Sequence, residues 1–277
     1  MMARSSPHVH TQFCDGRSTA EEMVLSALEK GFVSLGFSSH ARQDFNNFYA
    51  MDERREADYI KEIRRLQKVY GNGIRIWMGI ERDRLSIADR SLFEFVIGSS
   101  HYVVSPEDKK LPVDESPKLL EAGIKKFFHG DGLAFAEEYF SLTGDYIRTF
   151  KPDIIGHFDL LTKHNKQNKL FDTEEPRYIK AATAAMDEAL TGCRLMEVNV
   201  GGIARAGASS PYPGFPLLQY WRAIGGDVIL SSDCHSAGML DRAYSTGVAF
   251  IRAAGYKKAA FLGRRESLFE WCEVPGE

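Results

Sequence analysis

One pattern recurs along most of this sequence: a short apolar run is followed by a polar residue and then by an amphipathic stretch. The apolar runs predict buried strands, and the stretches between them have the periodicity of helices. The predicted strands are the segment that ends at His10 and residues 32–37, 74–80, 93–98, 154–157, 195–199, 228–230 and 259–262. Strands that alternate with helices form parallel α/β sheets. About seven or eight such units in one run favour a closed or nearly closed barrel over an open, doubly wound sheet.

Cap and turn residues mark the ends of the predicted helices. Ser18 and Glu21 form a candidate capping box for the first helix, and Gly31 ends it. The other predicted helices are residues 52–70, 117–128, 133–150, 172–190, 216–224 and 240–254. Loops are predicted at residues 106–117, 165–172 and 201–213.

Length and composition limit the kinds of protein that this chain can be. No linker or low-complexity segment divides its 277 residues, so we expect a single domain over residues 1–277. Hydrophobic residues make up 44% of the chain and charged residues 26%, which is typical of a globular enzyme. The net charge of -3 predicts no basic surface for nucleic acid, so the expected partner is a small molecule.

The cysteines and the apolar segments indicate the expected compartment. Cys14, Cys193, Cys234 and Cys272 are far apart and form no Cys-x-x-Cys pair, which favours a reducing, cytoplasmic setting. The first six residues lack the apolar core of a signal peptide. No apolar run reaches the roughly 18 residues that cross a bilayer, so we expect no membrane partner.

Polar side chains with metal-binding chemistry follow most of the predicted strands. His8 and His10 are two residues apart, so both imidazoles point to the same side of the first strand. The comparable residues farther along the chain are Asp15, His40, Glu81, His101, His157, Asp233 and His235. Because the carboxyl ends of parallel strands meet at one face of a barrel, we expect these side chains to converge there.

This set of side chains suits transition-metal ions. Imidazole and carboxylate together are typical ligands of zinc, iron or manganese. One ion takes about four or five ligands, so the set is large enough for two or three ions. Glu81 and Asp233 are the natural bridges, since a carboxylate can bind two ions. Ions bridged in this way hold a hydroxide and stabilise an anionic oxygen, which indicates phosphoester hydrolysis.

The ordered motifs resemble those of the PHP (polymerase and histidinol phosphatase) superfamily of metal-dependent phosphoesterases. The motifs are His-Val-His-Thr at 8–11, Ser-Ser-His at 38–40, Gly-Ile-Glu-Arg-Asp at 79–83, Ile-Gly-Ser-Ser-His-Tyr-Val at 97–103, Gly-His-Phe-Asp-Leu at 156–160, Glu-Val-Asn at 197–199 and Ser-Asp-Cys-His-Ser at 232–236. The stretch at 98–103 is similar to the histidinol-phosphate phosphatase branch. The resemblance implies a distorted (β/α)7 barrel, with a (β/α)8 barrel as the alternative.

The resemblance also implies a trinuclear site of divalent zinc, iron or manganese. Its first ion would be held by His8, His10, Glu81 and Asp233, its second by Glu81, His101 and His157, and its third by Asp15, His40 and His235. Asp15 stands where some relatives carry histidine, so the third site can differ in metal preference.

Phosphate contacts are implied as well. Arg205 matches a phosphate-binding arginine of the branch. A second arginine is expected after residue 160, where this sequence instead has Lys163, and either Lys163, Arg17 or Arg42 would supply that contact. Asp233 or a neighbouring histidine would pass a proton to the leaving alkoxide.

The implied reaction is hydrolysis of a phosphomonoester, and L-histidinol phosphate, from histidine biosynthesis, is the first candidate. Candidates to receive its ammonium and imidazole groups are Asp44, Asp159, Phe13 and Tyr102. The alternatives are another phosphomonoester or a nucleotide, and a module that binds metal without catalysis. A cyclic amidohydrolase would need a bridging lysine, and no lysine ends a predicted strand. His129 and His164 lie outside the pattern and are not expected in the site.

Overall fold

A curled sheet forms the centre of the computed structural model, which describes residues 3–45, 48–105 and 107–276. The strands are β1 (Ser5–Ser6), β2 (Ser34–Phe37), β3 (Arg75–Asp83), β4 (Phe95–Ser99), β5 (Tyr102–Val104), β6 (Lys110–Pro112), β7 (Ile154–Ile155), β8 (Leu195–Asn199), β9 (Asp227–Ser231), β10 (Lys258–Leu262) and β11 (Phe269–Glu273). Within the described residues, one sheet has the order β1-β2-β3-β4-β7-β8-β9-β10-β11. Its strands are parallel except for the antiparallel pair of β10 and β11.

The sheet closes on itself at the carboxyl ends of its strands. Val9, just beyond β1, forms a parallel bridge with Cys234, just beyond β9. The His10 amide donates to the Cys234 carbonyl at 2.9 Å, and the Cys234 amide donates to the His8 carbonyl at 3.3 Å. The strands β1, β2, β3, β4, β7, β8 and β9 therefore form a parallel ring. This confirms the predicted distorted (β/α)7 barrel over the eight-stranded alternative.

The ring is distorted towards its amino end, where β10 lies beside β9 and close to β1. The Leu262 amide donates to Ser5 Oγ at 3.2 Å, and Ser34 Oγ donates to the Leu262 carbonyl at 2.5 Å. These hydroxyls satisfy backbone groups at a point where the regular ladder is interrupted. Strand β11 continues the sheet outwards from β10.

The helices pack against this sheet. They are α1 (Ala20–Glu29), α2 (Glu53–Tyr70), α3 (Pro117–Phe127), α4 (Gly132–Phe150), α5 (Pro176–Leu190), α6 (Gly201–Ala206), α7 (Phe215–Ala223) and α8 (Tyr244–Ala253). The capping box of α1 joins Thr19 to Glu22, one residue later than the predicted Ser18 and Glu21. Asp52 caps α2 by accepting a hydrogen bond from the Arg55 amide.

Apolar side chains fill the space between the sheet and the helices. The largest fully buried side chains include Trp221 on α7, Tyr59 on α2 and Phe140 on α4. The Tyr59 hydroxyl donates to the Gly79 carbonyl at 2.7 Å, which ties α2 to β3. Of the helices in the described part of the chain, none combines the length and apolarity needed to cross a membrane.

The predicted loops contain short regular elements. The loop at 106–117 includes β6, which pairs with β5, although Pro106 itself lies outside the described residues. The loop at 201–213 begins with α6, and the loop at 165–172 contains one 3-10 turn at Lys166–Asn168. These elements have three to six residues, too few for a hydrophobic period to be recognised. The unpredicted β11 is an edge strand with every residue at least partly exposed.

Alanine at Gly79 tests how closely β3 packs on β4. A Cβ at this position would lie 2.3 Å from the ring of Phe95, which is buried and cannot easily move. We expect Gly79→Ala to lower the free energy of unfolding by about 1–3 kcal/mol, as overpacking does. Urea denaturation measures this change. Gly238→Ala is the control, because a Cβ there meets no heavy atom within 4 Å. If Gly79→Ala and Gly238→Ala lowered the free energy of unfolding equally, the close packing of Gly79 against Phe95 would be contradicted.

Candidate metal centre

The structure brings together side chains from six strand ends at one end of the barrel. Closure of β1 on β9 places the His8 and His10 segment beside the segment of Asp233 and His235. The remaining candidates follow or end β2, β3, β4 and β7, and one lies in the loop before α1; they are His40, Glu81, His101, His157 and Asp15. Four overlapping groups result, each with ligand atoms within 4.8 Å of one another: His8, His10 and Asp233; His8, Glu81 and His157; His40, Glu81 and His101; and His10, Asp15, His40 and His235.

Glu81 lies at the centre of this cluster and is 1% exposed. Its Oε1 atom is 2.9 Å from His157 Nε2 and 3.5 Å from His101 Nε2. Its Oε2 atom is 2.9 Å from His40 Nδ1, 3.2 Å from His8 Nε2 and 3.5 Å from His10 Nε2. Each oxygen of the carboxylate therefore faces a different set of imidazoles, which is the arrangement needed to bridge two ions.

Asp233 supplies a second carboxylate from the loop after β9. Its Oδ1 atom is 3.2 Å from His10 Nε2 and 3.7 Å from His8 Nε2. Its Oδ2 atom accepts hydrogen bonds from Arg205 Nη2 at 2.9 Å and from Asn199 Nδ2 at 3.2 Å. The φ angle of Asp233 is 44°, a left-handed conformation that non-glycine residues rarely adopt outside functional sites. The carboxylate is thus held between two imidazoles and a guanidinium.

Asp15 lies with three histidines at the more exposed edge of the cluster. Its Oδ2 atom is 3.3 Å from His235 Nε2. Its Oδ1 atom is 3.6 Å from His10 Nδ1 and 3.8 Å from His40 Nε2. The Asp15 side chain is 32% exposed, whereas the Glu81 side chain is fully buried. The implied third set of Asp15, His40 and His235 is therefore brought together, with His10 as a further neighbour.

Mutual charge interactions change the pKa values of these side chains. Burial lowers the pKa of His8, but the nearby carboxylates, Glu197 first among them, raise it well above its ordinary value. Burial raises the pKa of Glu81, but the surrounding imidazoles, led by His8, hold it well below its ordinary value. For His10, burial and repulsion from His235 both lower the pKa. The central carboxylate is therefore ionised.

Several buried atoms of the cluster have no hydrogen-bond partner among the described residues: His8 Nε2, His10 Nε2 and Glu81 Oε2. Leaving a buried polar atom unpaired costs about 1–3 kcal/mol. A divalent cation in contact with these atoms would satisfy them. Imidazole nitrogen and carboxylate oxygen are also the ligands that zinc, iron and manganese accept. The residues present therefore fit a transition-metal site.

Two further buried carboxylates support the cluster from behind and were given no role from the sequence. Glu197 Oε2 accepts a hydrogen bond from His8 Nδ1 at 2.9 Å. Asp83 Oδ2 accepts from the His101 amide at 2.7 Å. Asp83 is two residues after Glu81 on β3, so alternation along the strand could have indicated that both face the site. Metal-ligating histidines commonly donate their second nitrogen to such carboxylates.

A cavity of about 330 Å³ opens onto the cluster and is lined by Arg205, Arg17 and Lys163. The Arg205 guanidinium contacts both Asp233 and His235 Nδ1, so it lies directly beside the candidate ligands. Arg42 does not line this cavity among the described residues. The Nε atom of Arg42 instead lies 3.8 Å from a carboxylate oxygen of Glu56.

Lys163 reaches the cavity from the segment after β7. Its Nζ atom donates to Asp114 Oδ2 at 3.0 Å. Burial raises the pKa of Asp114, but Lys163, His101 and His157 together hold it below its ordinary value. His164 contacts the Asp114 carbonyl outside the cavity, and His129 is exposed in the turn before α4. Both agree with the expectation that they lie outside the site.

The four side chains considered for the ammonium and imidazole groups do not line the cavity in the part of the chain that is described: Asp44, Asp159, Phe13 and Tyr102. Asp159 accepts a hydrogen bond from the Gly214 amide at 2.8 Å, and its burial raises its pKa to about 6. The Tyr102 hydroxyl is the acceptor for the hydroxyl of Tyr49 at 3.0 Å. Both side chains are therefore engaged within the protein.

Two curated relatives are similar to this chain over most of its length. A Schizosaccharomyces pombe protein named "Probable histidinol-phosphatase" is 25% identical, over 90% of this chain and 86% of the relative. A Bacillus subtilis protein named histidinol-phosphatase is 26% identical, over 88% of this chain and 97% of the relative.

Solved structures share the fold. A HisK structure from Listeria monocytogenes matches with a TM-score of 0.76 and 20% identity, over 88% of this chain and 99% of that chain. The histidinol phosphate phosphatase of Lactococcus lactis, solved with zinc, L-histidinol and phosphate, matches with a TM-score of 0.68 and 19% identity, over 95% of this chain and 98% of that chain. The model of the PHP domain matches residues 6–199, most of the barrel and seven of the nine candidate ligands. The chain belongs to the PHP domain family.

Proposed function

We propose that this protein is a metal-dependent phosphomonoesterase and that its substrate is L-histidinol phosphate. The observation that carries the proposal is the position of Glu81, whose two oxygens face different sets of imidazoles beside a cavity lined by cationic side chains. The PHP family and the two relatives named for histidinol phosphate hydrolysis support this reaction and this substrate. The zinc, histidinol and phosphate in the Lactococcus lactis structure are consistent with both.

The metal ligands of the proposal are the nine clustered side chains. By the family resemblance, the first ion would be held by His8, His10, Glu81 and Asp233, the second by Glu81, His101 and His157, and the third by Asp15, His40 and His235. The four groups in the structure contain the same nine residues but divide them differently, since His8 groups with Glu81 and His157, and His40 with Glu81 and His101. When bound, divalent zinc, iron or manganese ions supply Lewis-acid stabilisation of phosphoryl oxygens and lower the pKa of water.

Arg205 is proposed to bind the phosphate group. Its guanidinium lines the cavity and is oriented by hydrogen bonds to both oxygens of Asp233. Arginine forms paired hydrogen bonds to phosphate oxygens because its donors are coplanar. Lys163, held by Asp114, is proposed to supply a second positive charge in place of the second arginine of the branch. Arg17 lines the same cavity and is the alternative, whereas Arg42 is directed towards Glu56.

Asp233 is proposed to transfer the proton. It is the carboxylate that contacts both the imidazoles of the cluster and the phosphate-binding arginine. Burial raises its pKa, but Arg205 and His8, with His10 and His235, hold it well below its ordinary value, so the carboxylate is ionised before the reaction. Its position on the cavity wall would let it take the proton of the attacking water and pass it on. Return of that proton to the leaving alkoxide would release histidinol.

The proposed cellular role follows from this reaction. We propose that the protein acts in histidine biosynthesis, in the cytoplasm, as a single domain that binds a small phosphate ester rather than nucleic acid. Three of the four cysteines are buried, and all four are free thiols in the structure, which is consistent with a reducing compartment.

Phosphate release from L-histidinol phosphate tests the proposal directly. Metal-loaded protein should release phosphate, and a chelator should abolish the release. Glu81→Gln should lower kcat/KM by more than about 100-fold. Substitution of a residue that only hydrogen-bonds to a metal ligand typically lowers activity by about 10- to 100-fold. Glu94→Gln is the matched control, since Glu94 accepts the Met78 amide at the opposite end of the barrel. If the metal-loaded protein hydrolysed only other phosphomonoesters or nucleotides, the substrate assignment would be wrong. If it hydrolysed no ester at all, the protein would be a metal-binding module without catalysis.

Substitution of the two cavity cations tests the phosphate contacts. Arg205→Met should lower kcat/KM by about 100- to 1000-fold, the usual loss for one donor to transition-state charge. Lys163→Met should raise KM by about 10-fold, the loss of one hydrogen bond to a charged group. Arg194→Met is the control, because Arg194 is exposed and pairs with Asp227 at the amino end of β9. Activities of all three variants within twofold of one another would rule out both roles.

A further inference from the structure

Glu197 is a fully buried carboxylate that does not itself line the cavity. It lies on β8, behind His8, and is 0% exposed. Its Oε2 atom accepts from His8 Nδ1 at 2.9 Å and from Ser231 Oγ at 2.6 Å. Its Oε1 atom accepts from the His157 amide at 2.6 Å and from Asn199 Nδ2 at 2.9 Å. The carboxylate is therefore saturated by four donors.

Two of these donors cannot change their direction. The His157 amide is a backbone N–H and can only donate. Asn199 Oδ1 accepts from the Gly201 amide at 2.8 Å, so its Nδ2 atom must face Glu197 as a donor. Glu197 Oε1 is thereby fixed as an acceptor, and Oε2 is left to face His8 and Ser231.

The contact with Oε2 decides which nitrogen of His8 carries the proton. A carboxylate oxygen accepts only, so His8 Nδ1 must carry the hydrogen. In the neutral imidazole that binds a metal ion, His8 Nε2, which points into the cluster 3.2 Å from Glu81 Oε2, is then the nitrogen with the lone pair. It is buried and has no hydrogen-bond partner in the described part of the chain. A metal ion binds an imidazole through the lone pair of an unprotonated nitrogen, so His8 can bind a metal ion only at Nε2.

We propose that Glu197 is a positioning residue that locks His8 in the Nδ1–H tautomer and so makes Nε2 a metal ligand. The inference rests on the metal site of the proposed function but not on its substrate. Through its second oxygen, Glu197 also fixes the backbone at His157, another candidate ligand. One buried carboxylate thereby aligns ligands from β1 and β7.

Glutamine at position 197 separates this role from simple packing. The Glu197→Gln side chain has the same shape, but only its amide oxygen can accept a hydrogen bond, because the other terminal group is an NH2 donor. The His157 amide and Asn199 require the oxygen, so the NH2 group must face His8 Nδ1 and Ser231. His8 would then accept at Nδ1 and carry its proton on Nε2, which blocks the ligand position.

Zinc affinity, measured by competition with a chromophoric chelator, should therefore fall by about 10- to 100-fold in Glu197→Gln. Glu94→Gln changes a glutamate whose side chain is 32% exposed and which also accepts a backbone amide, and this variant should bind zinc as the unchanged protein does. Equal zinc affinity in Glu197→Gln and Glu94→Gln would overturn the proposal. Neither binding measurement uses substrate, so a wrong substrate assignment would not affect the result.

Long-range 1H–15N spectra of histidine-labelled protein give a second readout that needs no variant to fold. In the unsubstituted protein with zinc, the His8 ring should show a protonated Nδ1 and a metal-bound Nε2. In Glu197→Gln without metal, the proton should move to Nε2. A proton on Nε2, or zinc on Nδ1, in the unsubstituted protein would overturn the proposal even if the variant failed to fold.

Discussion

Burial of negative charge among imidazoles is the constraint on which the rest of this structure depends. Glu81 and Asp233 are almost completely removed from water, and a buried carboxylate is costly unless it is paired. Imidazoles surround Glu81 on both of its oxygens, yet several of their nitrogens and one of its oxygens remain without hydrogen bonds. Divalent cations in contact with these atoms would satisfy them. This links stability of the barrel end to the chemistry proposed for it.

The topology of the barrel makes this cluster possible. Position 8 and position 233 are far apart in sequence, and they meet because Val9 pairs with Cys234 to close the ring. Parallel strands present all their carboxyl ends on the same side, so each strand can contribute a ligand without a special loop. The cationic side chains that line the cavity come from the segments after β1, β7 and β8. Fold and site are thus consequences of one arrangement of strands.

Much of this arrangement could be predicted because its signals are local. The position of each ligand candidate after an apolar run indicated convergence, and the long helices were placed to within a few residues. The roles of Glu197 and Asp83 were not predicted, because a buried carboxylate behind a ligand differs from a ligand only in three dimensions. Arg42 could be separated from Lys163 and Arg17 only by the direction of its side chain. Short elements such as α6 and β6 depend on tertiary contacts that have no periodic signature.

Anomalous diffraction from a crystal grown with zinc or manganese tests the central claim most directly, because it locates metal ions without reference to activity. The account predicts more than one anomalous peak among the clustered side chains, with Glu81 in contact with two of them at about 2.0–2.2 Å. It also predicts a metal contact at His8 Nε2 rather than Nδ1. Crystals that contain metal elsewhere, but show no peak between His8, Glu81 and Asp233, would contradict it.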